Sequence, residues 1–248
     1  ASMGMSVGYL WKAKNKQISG ERGKEKFRGN FNLNDSINMG LNLNKGGRFN
    51  LAKEAPKLKV AGIGLGWDPN EEPNGPNFDL DVSAFLLTED GKIPADEYVV
   101  FFNSDLKTET PEGMRPYSGD GSVFGAVDSI DGTESDGEDD EDMRVYFDKV
   151  WEGITQIIIT VTITKYPNDK KKDRRTLLQN FGMVNDCYIR IWDDETGVEI
   201  LRYNLKEKFS DEDAVEFGRF VRSNGSWEFE ATGEKYTGGL GKFVELFT

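Results

Sequence analysis

Phe78-Asp79-Leu80-Asp81-Val82-Ser83-Ala84-Phe85-Leu86 sets the reading of the whole chain. Phe78, Leu80, Val82, Ala84 and Leu86 alternate with Asp79, Asp81 and Ser83. This is the two-residue period of a half-buried β-strand, apolar on one side and polar on the other. Side chains two apart share a face, so Asp79 and Asp81 project together, about 6.5–7 Å apart. Such a pair is either the solvated side of an edge strand or an oxygen-rich surface for a hard cation.

The same pattern spreads outward. Leu41 and Leu43 alternate with asparagines before a Lys45-Gly46-Gly47 turn, and Leu58 to Trp67 forms an apolar, glycine-rich run. Tyr98 to Phe102, Met143 to Phe147, the β-branched Gln156 to Thr164, Cys187 to Trp192 and Val198 to Leu205 read as further strands. Val215 to Val221 and Trp227 to Ala231 flank Asn224-Gly225, a strong hairpin signal. Ser210 before Asp211, Glu212 and Asp213 also fits a capped helix, so a helix over 211–222 stays open for that segment. About ten short strands at regular spacing predict an all-β fold: a β-sandwich of two antiparallel sheets with short helical turns. The 28 glycines and 8 prolines suit a turn-rich β protein, and 16 Phe, 8 Tyr and 5 Trp supply aromatic area for a core.

Composition also excludes chemistry. The chain has no histidine, which removes imidazole acid–base catalysis, Ser-His-Asp triads and His-ligated zinc. Its single cysteine, Cys187, permits no intrachain disulfide and lies in an apolar strand pattern, as a buried inert thiol would. No phosphate-cradling glycine loop ending in Lys-Ser or Lys-Thr is present.

Charge is distributed unevenly. Nine of the fifteen residues from Asp128 to Asp142 are carboxylates, and none is basic. They carry −9 of a net −13, leaving −4 for the rest of the chain. Two carboxylates about 5 Å apart repel by roughly 3 kcal/mol at an effective dielectric near 20. A folded loop of this kind calls for a hard cation or a basic partner; otherwise the run is solvated or disordered. If the loop folds over Asp79 and Asp81, one or two sites rich in oxygen donors are completed, with Gly132 and Gly137 allowing tight turns. Asp131-Gly132-Thr133-Glu134-Ser135-Asp136-Gly137 alternates oxygen donors, without the spacing of an EF-hand.

Lys12, Lys14, Lys16, Arg22, Lys24, Lys26 and Arg28 make residues 1–38 a flexible basic arm, ahead of a sandwich domain over 39–248. The arm is either a solvated tail or a contact for an anionic surface. The acidic body disfavours strong nucleic-acid binding. A second basic stretch comprises Lys170, Lys171, Lys172, Arg174 and Arg175. Neither a signal-peptide core nor an apolar run of about 18 residues occurs, so no membrane span and a cytoplasmic location are expected.

Several blocks, in order, resemble the TerD (tellurium-resistance) family: Asn42 to Leu51, Gly64-Leu65-Gly66-Trp67-Asp68, Phe78-Asp79-Leu80-Asp81, Gly121-Ser122-Val123, Phe181-Gly182-Met183-Val184, Arg202-Tyr203-Asn204-Leu205 and Trp227-Glu228-Phe229. Asp128 matches the start of the family's acidic loop, and Asp136-Gly137 followed by Glu138-Asp139-Asp140-Glu141 matches its end, with a short insertion between. The resemblance implies a cytoplasmic calcium-binding β-sandwich linked to resistance to tellurite and other stresses, with no agreed catalytic residues. It implies one or two Ca2+ ions held from among Asp68, Asp79, Asp81, Asp128, Asp131, Asp136, Glu138, Asp139, Asp140 and Glu141, ordering a surface for protein partners in a stress-response complex. The competing readings are a metal-dependent hydrolase, using paired carboxylates to activate water, and a scaffold subunit of a membrane-associated stress complex.

Overall fold

The structure, a computed structural model, describes residues 41–42, 47–129, 131–133, 139–166, 173–204 and 211–248. The expected basic arm, Asp136, Glu138, and Lys170, Lys171 and Lys172 of the second basic stretch lie outside these residues. In chain order the elements are β1 (Leu41–Asn42), β2 (Arg48–Asn50), α1 (Leu51–Glu54), β3 (Val60–Gly66), β4 (Leu80–Leu87), β5 (Val99–Val100), β6 (Lys107–Thr110), β7 (Gly113–Pro116), β8 (Val123–Phe124), β9 (Glu141–Tyr146), β10 (Gln156–Ile163), β11 (Tyr188–Asp193), β12 (Glu199–Asn204), β13 (Ala214–Ser223), β14 (Ser226–Glu230), β15 (Glu234–Tyr236) and α2 (Gly239–Phe247). Short 3-10 turns interrupt the connections.

Two sheets form the sandwich. The first runs β1-β12-β11-β3-β9-β8, and the second β2-β14-β13-β10-β4-β5 with β15 also on β13. Pairing is antiparallel except for β1, which lies parallel to β12. β6 and β7 make a separate hairpin.

The core fills the space between the sheets. Ile63, Leu65, Met143, Val145, Ile189 and Ile191 from the first sheet meet Leu80, Val82, Leu86, Ile157, Ile159 and Val161 from the second. Tyr203, Phe217, Phe229 and Phe220 form a chain of rings with centroids 5.1–5.8 Å apart. Asn224 and Gly225 both take positive φ, 49° and 79°, as a two-residue hairpin turn requires.

The structure corrects the reading of β4, adds a helix, and closes the helical alternative over 211–222 in favour of the expected strand. β4 is not half-buried: all eight of its residues are buried. The alternation is real, but its second face is covered too: around Phe85 by α2, whose Phe243 and Phe247 pack on it with centroids 6.1 and 5.2 Å apart, and at Asp81 by Thr164 and Asp128. β4 is therefore no solvated edge strand. Residues 214–223 form a strand rather than a helix, because Val215, Phe217 and Phe220 are needed in the inter-sheet core. Asp213, read as part of a helix start, accepts from Gly238 N at 2.8 Å and Gly239 N at 3.1 Å and so caps α2 instead. Helix α2 itself was not foreseen, since its own sequence, with Gly239 and Gly241, carries little helical preference.

The outer face of the first sheet has an unusual floor. Gly62, Gly64 and Gly66 are the outward residues of β3, while Ala61, Ile63 and Leu65 point inward. A methyl group at Gly64 would lie 2.2 Å from the Asp139 carboxylate, and one at Gly62 would lie 2.1 Å from the Trp192 ring. Glycine here lets Trp192 and Asp139 lie directly on the backbone. Arg144 and Arg190 stack on Trp192 at 4.8 and 4.7 Å.

Candidate metal centre

Asp79 immediately precedes β4 and Asp81 lies within it, and both are buried. β5 pairs only with Ala84 and Phe85 of β4, so among the described residues the first half of β4 has no strand on that side. The segment leading into β9 takes its place. Val82 N donates to Glu141 Oε2 at 2.8 Å, and Ser129 N donates to Oε1 at 3.4 Å. This docks the loop against β4 and brings Asp128 to the aspartate pair. Asp79, Asp81 and Asp128 each offer one oxygen, all within 4.8 Å of one another.

Neighbouring hydroxyls complete the setting. Thr164 Oγ1 donates to Asp81 Oδ2, and Tyr166 OH donates to Asp79 Oδ2. Ser83, next on the Asp79–Asp81 face, and Ser129, next to Asp128, have buried hydroxyl oxygens with no hydrogen-bond partner among the described residues.

The electrostatics follow from burial and crowding. Burial pushes the Asp81 carboxyl well above its usual range; the Thr164 hydrogen bond opposes this, and the negative charges of Asp79 and Asp128 add to it. Glu141 is also pushed well up, first by burial and then by Asp81, against the two backbone N–H donors. Burial and the hydrogen bond to Asp79 hold the Tyr166 phenol protonated. A buried anionic group of this kind is stabilised by a cation.

The donor set fits a hard ion. It is all oxygen, with neither thiolate nor imidazole. Calcium takes oxygens at 2.3–2.6 Å, so no two ligands of one ion stand more than about 5.2 Å apart, a limit the three carboxylates meet.

The other expected ligands go elsewhere. Asp139 is not brought to the cluster: it lies on the outer face of the first sheet, accepting from Arg190 Nε at 2.8 Å, Arg190 Nη2 at 2.7 Å and Tyr188 OH at 3.1 Å. Asp140 accepts from Trp67 N at 3.0 Å. Asp131 closes a turn, its Oδ1 accepting from Thr133 N at 3.1 Å and Oγ1 at 2.6 Å. Asp68 hands its backbone N–H to Asn185 O at 3.0 Å and lies outside the trio. Asp142 pairs with Arg115 and Arg144. Thus the acidic run is divided, with Asp128 and Glu141 facing the second sheet, and Asp139 and Asp142 neutralised by Arg190 and Arg144 of the first together with Arg115 of the β6–β7 hairpin.

Trp67 ties these parts together. Its Nε1 donates to Phe78 O at 3.1 Å, one residue before Asp79, and its N–H takes Asp140. Gly132, at φ 69°, turns against its indole, where a methyl group would sit 2.6 Å from Nε1. The roles of Thr164, Tyr166 and Trp67 went unread in the sequence, although Thr160, Thr162, Thr164 and Tyr166 keep strand phase with the Asp79–Asp81 face.

Comparison with known proteins bears on this geometry. A family model described as "TerD domain" matches residues 39–247. The chain is 39% identical over 202 residues to the tellurium resistance protein TerD of Serratia marcescens, covering 82% of this chain and 94% of that protein. It is 38% identical over 207 residues to general stress protein 16U of Bacillus subtilis (strain 168), covering 83% and 96%. Among solved structures, a homologue of telluride resistance protein (TerD) from Streptomyces coelicolor A3(2) superposes with a TM-score of 0.58 at 21% identity, covering 75% of this chain and 95% of that one, a likeness of fold. Among the described residues, no helix is long and apolar enough to cross a membrane.

Proposed function

The chain belongs to the TerD family, and from that premise we propose that it is a non-enzymatic, cytoplasmic calcium-binding protein of stress and tellurium resistance, in which Asp79, Asp81 and Asp128 hold the ion. The observation that carries this reading is the convergence of those three carboxylates, two of them buried, within 4.8 Å. Glu141 holds the loop in place beside them. Calcium would cancel the repulsion within the cluster and brace the surface around Asp128. That ordered surface is where a protein partner docks. The chain's own part is to present the oxygens, exclude water from Asp79 and Asp81, and link the ion to the loop through Asp128.

Isothermal calorimetry with CaCl2 on the full chain tests the proposal. Binding that is lost in Asp79→Asn and Asp81→Asn, and retained in the exposed control Asp105→Asn, supports it. Absence of binding heat, together with a melting midpoint unmoved by calcium, refutes it.

A further inference from the structure

Two hydroxyl side chains approach the aspartates from the neighbouring strand. β10 runs antiparallel to β4 with Thr162 opposite Asp81. The chain continues past Ile163 in the same phase, and Thr164 N donates to Asp79 O at 2.7 Å. Thr164 and Tyr166 therefore fall on the carboxylate side, while Lys165 turns away to Asp213, 2.6 Å from its Oδ2. The Thr164 hydroxyl reaches back to Asp81 Oδ2, and the longer Tyr166 side chain reaches Asp79 Oδ2.

We infer that Thr164 and Tyr166 are positioning and selectivity-determining residues of the ion site, a step that rests on the calcium reading above. A neutral hydroxyl leaves the carboxylate charge intact for a cation, yet stops its rotation about the Cβ–Cγ bond. With both aspartates fixed, the opening between their oxygens has a set width. Selectivity between calcium and magnesium depends on such width and rigidity, because magnesium demands a shorter metal–oxygen distance than calcium. Partners that orient metal ligands are worth 10–100-fold in affinity in other metal sites. The pair thus holds the site at calcium size, and its loss lets the carboxylates close on the smaller ion.

The test uses calorimetric titration of the full chain with CaCl2 and, separately, MgCl2. Tyr166→Phe removes only the hydroxyl, Thr164→Val puts a methyl of similar size in its place, and Thr164→Ser keeps it. The expected result is a roughly 10-fold loss of calcium affinity in Thr164→Val and in Tyr166→Phe, a smaller loss for magnesium, and near wild-type behaviour in Thr164→Ser. Melting in EDTA identifies any variant that fails to fold, and Tyr166→Phe, at a half-buried position, carries the test if Thr164→Val does fail. Calcium binding by the two hydroxyl-free variants within twofold of wild type overturns the inference while leaving the ion site standing. So does an equal loss of both metals that Thr164→Ser shares, the mark of a merely structural role. A wild-type chain that binds no calcium removes the ion site itself, and the inference with it.

Discussion

Replacing Asp81 by Asn should raise stability without calcium and lose that advantage in calcium. Asp81 is 2% exposed and faces Asp79 and Asp128 within 4.8 Å. Two unit charges at that distance repel by about 3.5 kcal/mol at an effective dielectric of 20. Exposure of Asp128 reduces the net cost, leaving about 2–3 kcal/mol for the Asp81→Asn substitution to relieve. The amide keeps the size of the side chain and still accepts from the Thr164 hydroxyl. In EDTA at pH 7.5 the variant should melt roughly 5–10 °C above the wild type, given about 2–4 °C per kcal/mol for a chain of this size. In calcium the gap should close. The wild type gains about 2.7 kcal/mol at 100 times its dissociation constant, while the variant gains almost nothing. Differential scanning calorimetry under both conditions measures this directly. A variant that melts below the wild type in EDTA would refute the reasoning, because it would mean that the cluster stabilises the fold without an ion.

Other outcomes follow from the same geometry. Arg190→Ala strands the Asp139 carboxylate, 7% exposed, with only Tyr188; urea unfolding should show a loss of about 2–3 kcal/mol, reduced from the fully buried case by the partial exposure of Arg190. A loss under about 0.5 kcal/mol, the size of an ordinary surface substitution, would show that Asp139 is not held there. Burial works against ionised Asp142 and Asp213, but Arg144 and Arg115 outweigh it for Asp142, as do Lys165 and the Gly239 and Gly238 N–H groups for Asp213, so both carboxyls lie below the usual 3.8. Their contribution is complete above the unfolded value and disappears as pH falls through the lower folded one. Urea midpoints from about pH 6 to pH 2 should therefore drop steeply below about pH 4, and less steeply in Asp213→Asn; parallel acid limbs would count against this. Trp67→Phe removes the N–H donor to Phe78 O and should lower calcium affinity about threefold or more through the Asp79 backbone; unchanged calorimetric affinity would remove Trp67 from the path.

The strands were legible because their alternation is set by the pleat, whichever neighbour covers each face. The same period placed Asp79 and Asp81 together on one side. It was silent on what lies over that side, so the burial of β4 by α2 came only with the structure. The acidic run shows the limit clearly. Asp139 and Glu141 are two residues apart and carry like charge, yet they point to different sheets. That division depends on Arg190 and Gly64, which are remote in sequence from the loop, and on the point where β9 begins. Thr164 and Tyr166 carried a readable signal in their phase with Thr160 and Thr162. Hydroxyl residues in a β-branched strand look ordinary until their partners across the ladder are known.

Glu141 has a role that outlasts any question about ions. Ahead of Ala84, no strand among the described residues pairs with β4 on its β5 side, and a row of N–H groups without a strand partner invites polymerisation between molecules. The Glu141 side chain occupies the Val82 N–H and places an acid in the path of an incoming chain. The protein therefore guards a vulnerable sheet margin with a docked loop latched by one side chain, instead of a full strand. Glu141→Gln would keep the blockade by its carbonyl, whereas Glu141→Ala would expose a template for fibrous association, visible as light scattering on storage.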